Sequence, residues 1–148
     1  MTSSDTLSYQ IAAPFVLLRI GGAPTTAEVR RVLLALSREP GLPSRALLLV
    51  DARDANGVPT PASVRARFKY FRILAGRALP LAAIVTSATV ASLLTGLLYK
   101  LEAQHRASMR IETFGDGESA KRWLRERAAE RRNEGPPTEP GPPEWREC

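Results

Sequence analysis

Short apolar runs, separated by Pro, Gly and polar residues, predict β-strands along most of the chain. Ala13-Pro14 divides the first two runs and indicates a tight turn between them, since proline cannot pair inside a strand. The runs at Ala46–Val50 and Leu81–Val85 are uniformly apolar, as expected of central strands covered on both faces. The predicted strands are Leu7–Ala12, Phe15–Ile20, Ala46–Val50, Leu81–Val85 and Met109–Phe114.

Apolar residues between these strands recur at helical spacing. Thr25 and Glu28 have the spacing of a capping box, and the second helix is expected to begin near Pro61–Ser63. Ser87 or Thr89 is expected to cap the third helix, and Asp116 the fourth. The predicted apolar faces are Val29, Val32, Leu33 and Leu36; Val64, Phe68, Phe71 and Ala75; Val90, Leu93, Leu94, Leu97, Leu98 and Leu101; and Ala120, Trp123 and Leu124.

The order β-β-α-β-α-β-α-β-α predicts an α/β fold. Strands that alternate with helices require crossover connections, so we expect a mostly parallel (mixed) sheet of about five strands with helices on its faces. Residues 7–132 are predicted to form one domain after a flexible N-terminus at residues 1–6. The Pro- and Glu-rich composition of residues 133–148 favours a disordered tail.

Composition narrows the expected surroundings and partners. The net charge is +6, but the basic residues are spread over several segments, which favours a solvated surface over a nucleic-acid site. No apolar run approaches the roughly 20 residues needed to span a bilayer, so no integral membrane association is expected. The N-terminus lacks a signal sequence and the single Cys148 cannot form an internal disulfide, so a cytoplasmic location is predicted.

Few residues offer chemistry for catalysis. His105 is the single histidine, and no phosphate-cradling Gly-rich motif or zinc-ligand spacing is present. Asp51 and Asp54 directly follow a central strand and could hold Mg²⁺, which would suit an enzyme. Arg53 beside them opposes a cation, and Asp residues also stabilise turns. We therefore predict no catalytic residue, no metal site, no cofactor and no enzymatic activity.

Two hydroxyl groups stand at the predicted start of the second helix. Thr60 and Ser63 are candidate phosphoryl acceptors, because added negative charge is favoured at a helix N-terminus. Ordinary N-capping is the alternative role for these hydroxyls. On another face of the same helix, Arg65, Lys69 and Arg72 form a basic stripe.

The Leu-rich third helix has an apolar band wider than one sheet face usually buries. The band could line an apolar cavity or form a dimer seam, or the helix could be wedged between the sheet and neighbouring helices. In the cavity interpretation, the pocket for an apolar ligand is lined by Phe68, Leu94, Leu97 and Leu98.

Four segments resemble the SpoIIAA-like branch of the STAS superfamily, which shares its architecture with CRAL-TRIO lipid-binding domains. They are VLLRIGGAPTTAEVRRVL, ALLLVDARDANG, LAAIVTSATVASLL and MRIETFGDGESAKRWL, and together they cover most of residues 7–125. The resemblance implies a bacterial, cytoplasmic, non-enzymatic domain that binds a protein or an apolar ligand.

Antagonist members of that superfamily begin the helix after the central strand with D-S-S-G, whose first Ser is phosphorylated. Here Pro59, Thr60, Pro61 and Ala62 occupy those places, so only Thr60 keeps a hydroxyl and the motif's Asp and Gly are missing. A phospho-switch at Thr60, like that of an anti-sigma-factor antagonist, is therefore one alternative function.

The preferred prediction is a non-catalytic STAS-like regulatory module that contacts a protein partner through the Arg53–Thr60 loop and the Val64–Arg72 helix. The basic residues would steer an acidic partner. A carrier of a lipid or another apolar small molecule is the other alternative. The predicted partner-binding residues are Arg53, Asp54, Arg65, Lys69 and Arg72.

Overall fold

The computed structural model describes residues 6–74, 77–106 and 109–133. The strands are β1 (Leu7–Ala12), β2 (Phe15–Ile20), β3 (Ala46–Asp51), β4 (Ala78–Val85) and β5 (Arg110–Phe114). The helices are α1 (Thr26–Ser37), α2 (Pro61–Phe71), α3 (Val90–Arg106) and α4 (Gly117–Asn133), and a 3₁₀ turn, Arg72–Leu74, follows α2. The predictions for residues 1–5, Ala75 and residues 134–148 lie outside the described residues.

The strands form one sheet in the order β1-β2-β3-β4-β5. β1 and β2 pair antiparallel around a cis Ala13-Pro14 bond, and the remaining neighbours pair parallel. This arrangement confirms the predicted mixed α/β sheet. The strand bounds differ from the prediction by one residue in β3 and β5, and β4 begins three residues earlier, at Ala78.

Helices cover both faces of the sheet, and each face has its own apolar core. On one face, Leu36 of α1, Phe68 of α2 and Tyr99 of α3 pack with Leu48 and Ile84 of the central strands. On the other face, α4 buries Ala120 and Leu124 against Leu47, Leu81 and Phe15, and Trp123 packs at the margin of this core. β3 is buried at every position, which explains its uniformly apolar sequence.

The parallel strands β2 to β5 all end at the same edge of the sheet. Ile20, Asp51, Val85 and Phe114 are the last residues of these strands, and the loops that follow them lead into the four helices. We call this edge, with residues 21–25, 52–60, 86–89 and 115–116, the rim. Asp51 and Thr60 therefore lie at the same end of the molecule, as predicted for a sheet of this topology.

Candidate functional site

At the rim, the carboxylate of Asp51 is held by its neighbour Arg53. The Nε and Nη2 atoms of Arg53 donate to Oδ1 and Oδ2 of Asp51 at 3.0 and 2.9 Å, and the Arg53 amide donates to Oδ1 at 3.1 Å. The side-chain hydrogen bond from Arg53 lowers the pKa of Asp51 below its usual value, although burial opposes the shift. This guanidinium balances the charge of the carboxylate and opposes the binding of a cation there.

The loop after β3 is fastened to its neighbours by buried polar groups. The Asn56 amide donates to the Gly22 carbonyl at 3.0 Å. The buried Ser92 of α3 donates from Oγ to the Ala52 carbonyl at 2.8 Å and accepts the Ser87 amide at 2.9 Å. These bonds join the loop to the end of β2 and to the start of α3, so the rim presents a defined surface.

Thr60 caps α2. Its Oγ1 accepts the Ser63 amide at 3.1 Å and donates to Ser63 Oγ at 3.0 Å. Both hydroxyls thus have structural partners, and their role as phosphoryl acceptors stays a prediction. Asp116 caps α4 in the same way, and hydrogen bonds from Ser119, the backbone amide first, lower its pKa.

The predicted partner-binding residues are all exposed. Arg53 and Asp54 lie in the rim loop, while Arg65 and Lys69 lie on the solvent side of α2 and Arg72 lies in the turn after it. α2 packs against α3, the Leu-rich helix. Arg65, Lys69 and Arg72, which belong to α2 and to the turn after it, therefore lie on the element next to α3. Their role in binding a partner remains a prediction.

Sequence reasoning missed Arg67, which is buried within this site. Its guanidinium donates to the Pro24 carbonyl at 2.8 Å, to the Tyr99 hydroxyl at 2.9 Å and to Thr26 Oγ1 at 3.3 Å. Burial raises the pKa of Tyr99, while the Arg67 charge opposes this shift, so the phenol stays neutral. One signal could have found Arg67: Val64, Arg67 and Phe68 share the spacing of the buried helix face.

The third helix, α3, turns its small and polar residues inward and its aliphatic residues outward. The inward face consists of Ser92, Thr95, Gly96, Tyr99 and Ala103, which are all buried. The outward face consists of Val90, Leu93, Leu94, Leu97 and Leu101, which are between 41% and 71% exposed. We call these five outward residues the α3 patch.

Close packing at Gly96 explains this orientation. A Cβ atom on Gly96 would lie 2.8 Å from Thr86 Cγ2 and 3.2 Å from Thr113 Cγ2, which are side chains of the rim and of β5. Only a residue without a side chain lets the helix approach the sheet this closely. The Leu-rich face of α3 does not fit this gap, so it lies in solvent.

An apolar cavity is present, but its lining corrects the predicted pocket. Thr95 and Tyr99 of α3 line it together with residues of the sheet, α1 and α2. Leu94 and Leu97 lie on the outer surface instead, and neither Phe68 nor Leu98 lines the cavity. Its volume of about 40 Å³ has room for a few water molecules at roughly 10–15 Å³ each, far less than a lipid needs.

The described residues contain neither a membrane-spanning helix nor a cluster of metal ligands. No helix in these ranges is both long and apolar enough to cross a membrane. Within the same residues, no three His, Cys, Asp or Glu side chains come together as a metal ion would require.

Comparison with known proteins identifies the fold. No protein-family model matches the chain, and no curated protein matches it. A solved structure that matches is an uncharacterized protein of the DUF3478 family from Shewanella loihica PV-4, which has a SpoIIAA-like fold. The match covers 84% of this chain and 98% of that one, with a TM-score of 0.50 and 15% identity. The chain therefore has the SpoIIAA-like fold that its sequence segments resemble.

Proposed function

We propose that this chain is a non-catalytic, STAS-like binding module that docks a protein partner on the α3 patch. The outward orientation of five large aliphatic side chains on one helix is the observation that carries this proposal. Contiguous apolar surface of this kind is uncommon on monomeric proteins and is typical of interaction sites. Burying a fully exposed side chain of this type is worth about 1.5–3 kcal/mol before the costs of association, and these side chains, which are already partly buried, would contribute roughly half of that each.

Internal packing does not account for these side chains. Polar residues at the same positions would leave the contacts of α3 with the sheet unchanged, because those contacts come from the opposite face. Val90, Leu94, Leu97 and Leu101 follow one another in steps of four, three and four residues. This is the spacing that packs against a second helix. We infer a partner that presents an apolar helix to α3.

Val58 is a further exposed aliphatic side chain, at the rim, and it is 45% exposed. The carbonyl of the preceding residue, Gly57, lies 3.5 Å from Oγ1 of Thr95 on the inward face of α3, so this loop packs beside α3. We propose that the Arg53–Thr60 loop and the basic residues of α2, the two parts of the predicted contact region, border the docking surface on the α3 patch.

Charge favours an acidic partner. Arg65, Lys69 and Arg72 are exposed on the helix and turn beside α3, and the whole chain carries a net charge of +6. Surface cations of this kind accelerate association with a negatively charged partner, and salt weakens the effect. We therefore propose a partner helix whose apolar stripe is bordered by Asp or Glu.

The hydrogen bonding of Asp51 at the rim also supports a binding role over a catalytic one. Asp51 is committed to Arg53, and the two form a structural clamp at the end of β3. An enzyme that used Asp51 and Asp54 with a metal would have to release Arg53. Titration calorimetry that detects Mg²⁺ or Mn²⁺ binding would contradict the non-catalytic proposal, and we expect no binding heat.

Affinity capture from extracts of the native host tests the docking surface. The bait is compared with Leu94→Gln/Leu97→Gln, with Arg65→Glu/Lys69→Glu/Arg72→Glu, and with an Arg122→Gln control on the exposed side of α4. We expect a protein that wild type and the control retain, that the leucine variant loses, and that the charge-reversed variant binds more weakly. The same proteins on every bait would contradict the proposal.

Sedimentation of the purified proteins separates a partner protein from self-association. We expect wild type and Leu94→Gln/Leu97→Gln to sediment alike, as monomers. A wild-type dimer that the leucine variant converts to monomer would show that a second copy of this chain occupies the patch, which would overturn the proposal of a different partner.

A further inference from the structure

Arg67 carries a buried charge, and no carboxylate of the described residues forms an ion pair with it. The residue is 6% exposed. Its guanidinium is bonded to a carbonyl and two hydroxyl oxygens, all of them neutral. Among the described residues, no Asp or Glu lies within ion-pair distance of it. A buried cation is costly unless an anion compensates it, so this arrangement lacks the component that usually stabilises it.

Arg67 lines a pocket that opens at the rim. This pocket has a volume of about 260 Å³, and Thr60, Ser63 and Thr95 contribute polar side chains to its wall. Arg67 has more N–H donors than its three hydrogen bonds use, so donors remain for a ligand. Because helical side chains point toward the helix N-terminus, Arg67 extends toward the start of α2.

Glycine lets the two loops that border the pocket approach each other. A Cβ atom on Gly57 would lie 2.7 Å from Ala23 Cβ, and Gly22 has a φ of +137°, which side chains rarely tolerate. Both glycines line the pocket. The first turn of α2 also begins here, after Thr60, and contains no acidic residue, so its amide groups add positive potential.

We propose that this pocket binds a small oxyanion, the phosphoryl group of a phosphate ester, with Arg67 as its counter-ion. A guanidinium group pairs with phosphate through charge-assisted, forked hydrogen bonds. The volume is below the roughly 300 Å³ at the lower end of pockets for drug-sized ligands, so a phosphoryl group with a small substituent fits better than a nucleotide. The pocket shares the Arg53–Thr60 loop with the proposed docking surface, but none of the five α3 patch residues lines it, so phosphate binding can be tested with variants that leave the patch intact.

Inorganic phosphate and glycerol 3-phosphate serve as probes in thermal denaturation and NMR titration, with chloride at equal ionic strength as the reference. Ser63→Leu fills the pocket and keeps Arg67, while Ala62→Leu changes an exposed neighbour in the same turn of α2. We expect phosphate to raise the melting temperature of wild type and Ala62→Leu above the chloride reference, and to shift the amide resonances of Gly57 and Ser63. Binding to Ser63→Leu should be at least about tenfold weaker. Glycerol 3-phosphate should bind at least as tightly as inorganic phosphate if the natural ligand is an ester.

Two results would overturn the site. One is a wild-type protein that responds to phosphate and to chloride equally. The other is an equal response of wild type and Ser63→Leu, which would place any bound phosphate elsewhere on this basic surface.

Ser63→Glu supplies a second variant, in which a carboxylate stands in for the ligand. We expect it to lose the phosphate response, whereas Ala62→Glu, which adds the same charge outside the pocket, should keep it. We expect Leu94→Gln/Leu97→Gln to keep the phosphate response of wild type, because neither leucine lines the pocket. The phosphate site can then be judged independently of the docking proposal.

Discussion

Gly96 and Leu97 are consecutive residues of α3, about 100° apart around the helix axis, and only the first of them faces the sheet. Gly96 is buried against Thr86 and Thr113, whereas the side chain of Leu97 is 46% exposed. The residue without a side chain thus makes the close contact with the sheet, and the large aliphatic residue faces solvent. The docking proposal depends on this reversal of the usual amphipathic arrangement.

Gly96→Val and Leu97→Gln should differ in the size of their effect on stability. The valine side chain would overlap Thr86 and Thr113, so we expect the free energy of unfolding to fall by about 1–3 kcal/mol. Leu97→Gln changes an exposed position and should alter it by less than about 0.5 kcal/mol. Urea denaturation followed by circular dichroism measures both. A larger loss for Leu97→Gln than for Gly96→Val would mean that α3 faces the other way.

The Asp51–Arg53 clamp should make stability depend on pH in the acid range. Because hydrogen bonding to Arg53 lowers the pKa of Asp51 in the folded state, the clamp stabilises the fold at pH values above the unfolded pKa of about 3.9. That contribution is lost as the pH falls through the lower, folded value. Wild type should therefore exceed Asp51→Asn in stability by more at about pH 7 than at about pH 2.5.

Denaturant titrations of the two proteins at both pH values measure this difference. Arg53→Gln serves as the companion variant, since it removes the main cause of the shift and should reduce the pH dependence. A gap between wild type and Asp51→Asn that stays constant with pH would show that the clamp does not form.

Tyr99→Phe should destabilise the protein through Arg67. The substitution removes the hydroxyl that accepts a hydrogen bond from the buried guanidinium at 2.9 Å. Leaving a buried donor without its acceptor costs about 1–3 kcal/mol. Tyr70→Phe removes the hydroxyl of a half-buried tyrosine of α2 and provides the matched control, with an expected change below about 0.5 kcal/mol. Equal effects of the two substitutions, measured by chemical denaturation, would argue against the buried Arg67 network.

Thr60→Ala should cost about 1 kcal/mol, because it removes the cap of α2. Thr60→Asp and Thr60→Ser keep an oxygen acceptor for the Ser63 amide and should retain most of the stability. Thermal denaturation of the three variants gives the ranking. If Thr60→Ala were as stable as wild type, the hydroxyl would not be needed as a cap. That result would support the prediction that Thr60 is a phosphoryl acceptor.

The fold was predictable because its signals are local and agree with one another. The uniformly apolar segment at Ala46–Val50 predicts a covered central strand, and β3 is buried throughout. Thr25 and Glu28 have capping-box spacing, and both hydrogen bonds of that box are present. On α4, the spacing of Ala120 and Leu124 identified the buried face. In each case the residue types in the sequence predict the same helix or strand, and the same buried positions, that the structure has.

The face of α3 and the role of Arg67 were not predictable in this way. Helical spacing identifies an aliphatic stripe but does not say whether it faces the sheet, and the decision depends on the width of the gap at Gly96. That width is set by side chains of Thr86 and Thr113, which are distant in sequence. The partners of Arg67 cannot be found from the pattern of α2 alone, because its acceptors Pro24 and Tyr99 belong to other parts of the chain.

Photo-crosslinking in cells of the native host tests the central claim most directly. Leu97 is replaced by a benzophenone-bearing amino acid, and Arg122 of α4, which is also exposed, is replaced in the same way as a control. We predict a discrete covalent adduct between position 97 and another protein, with no such adduct at position 122. Equal labelling at both positions, or none at position 97, would contradict a docking role for the α3 patch.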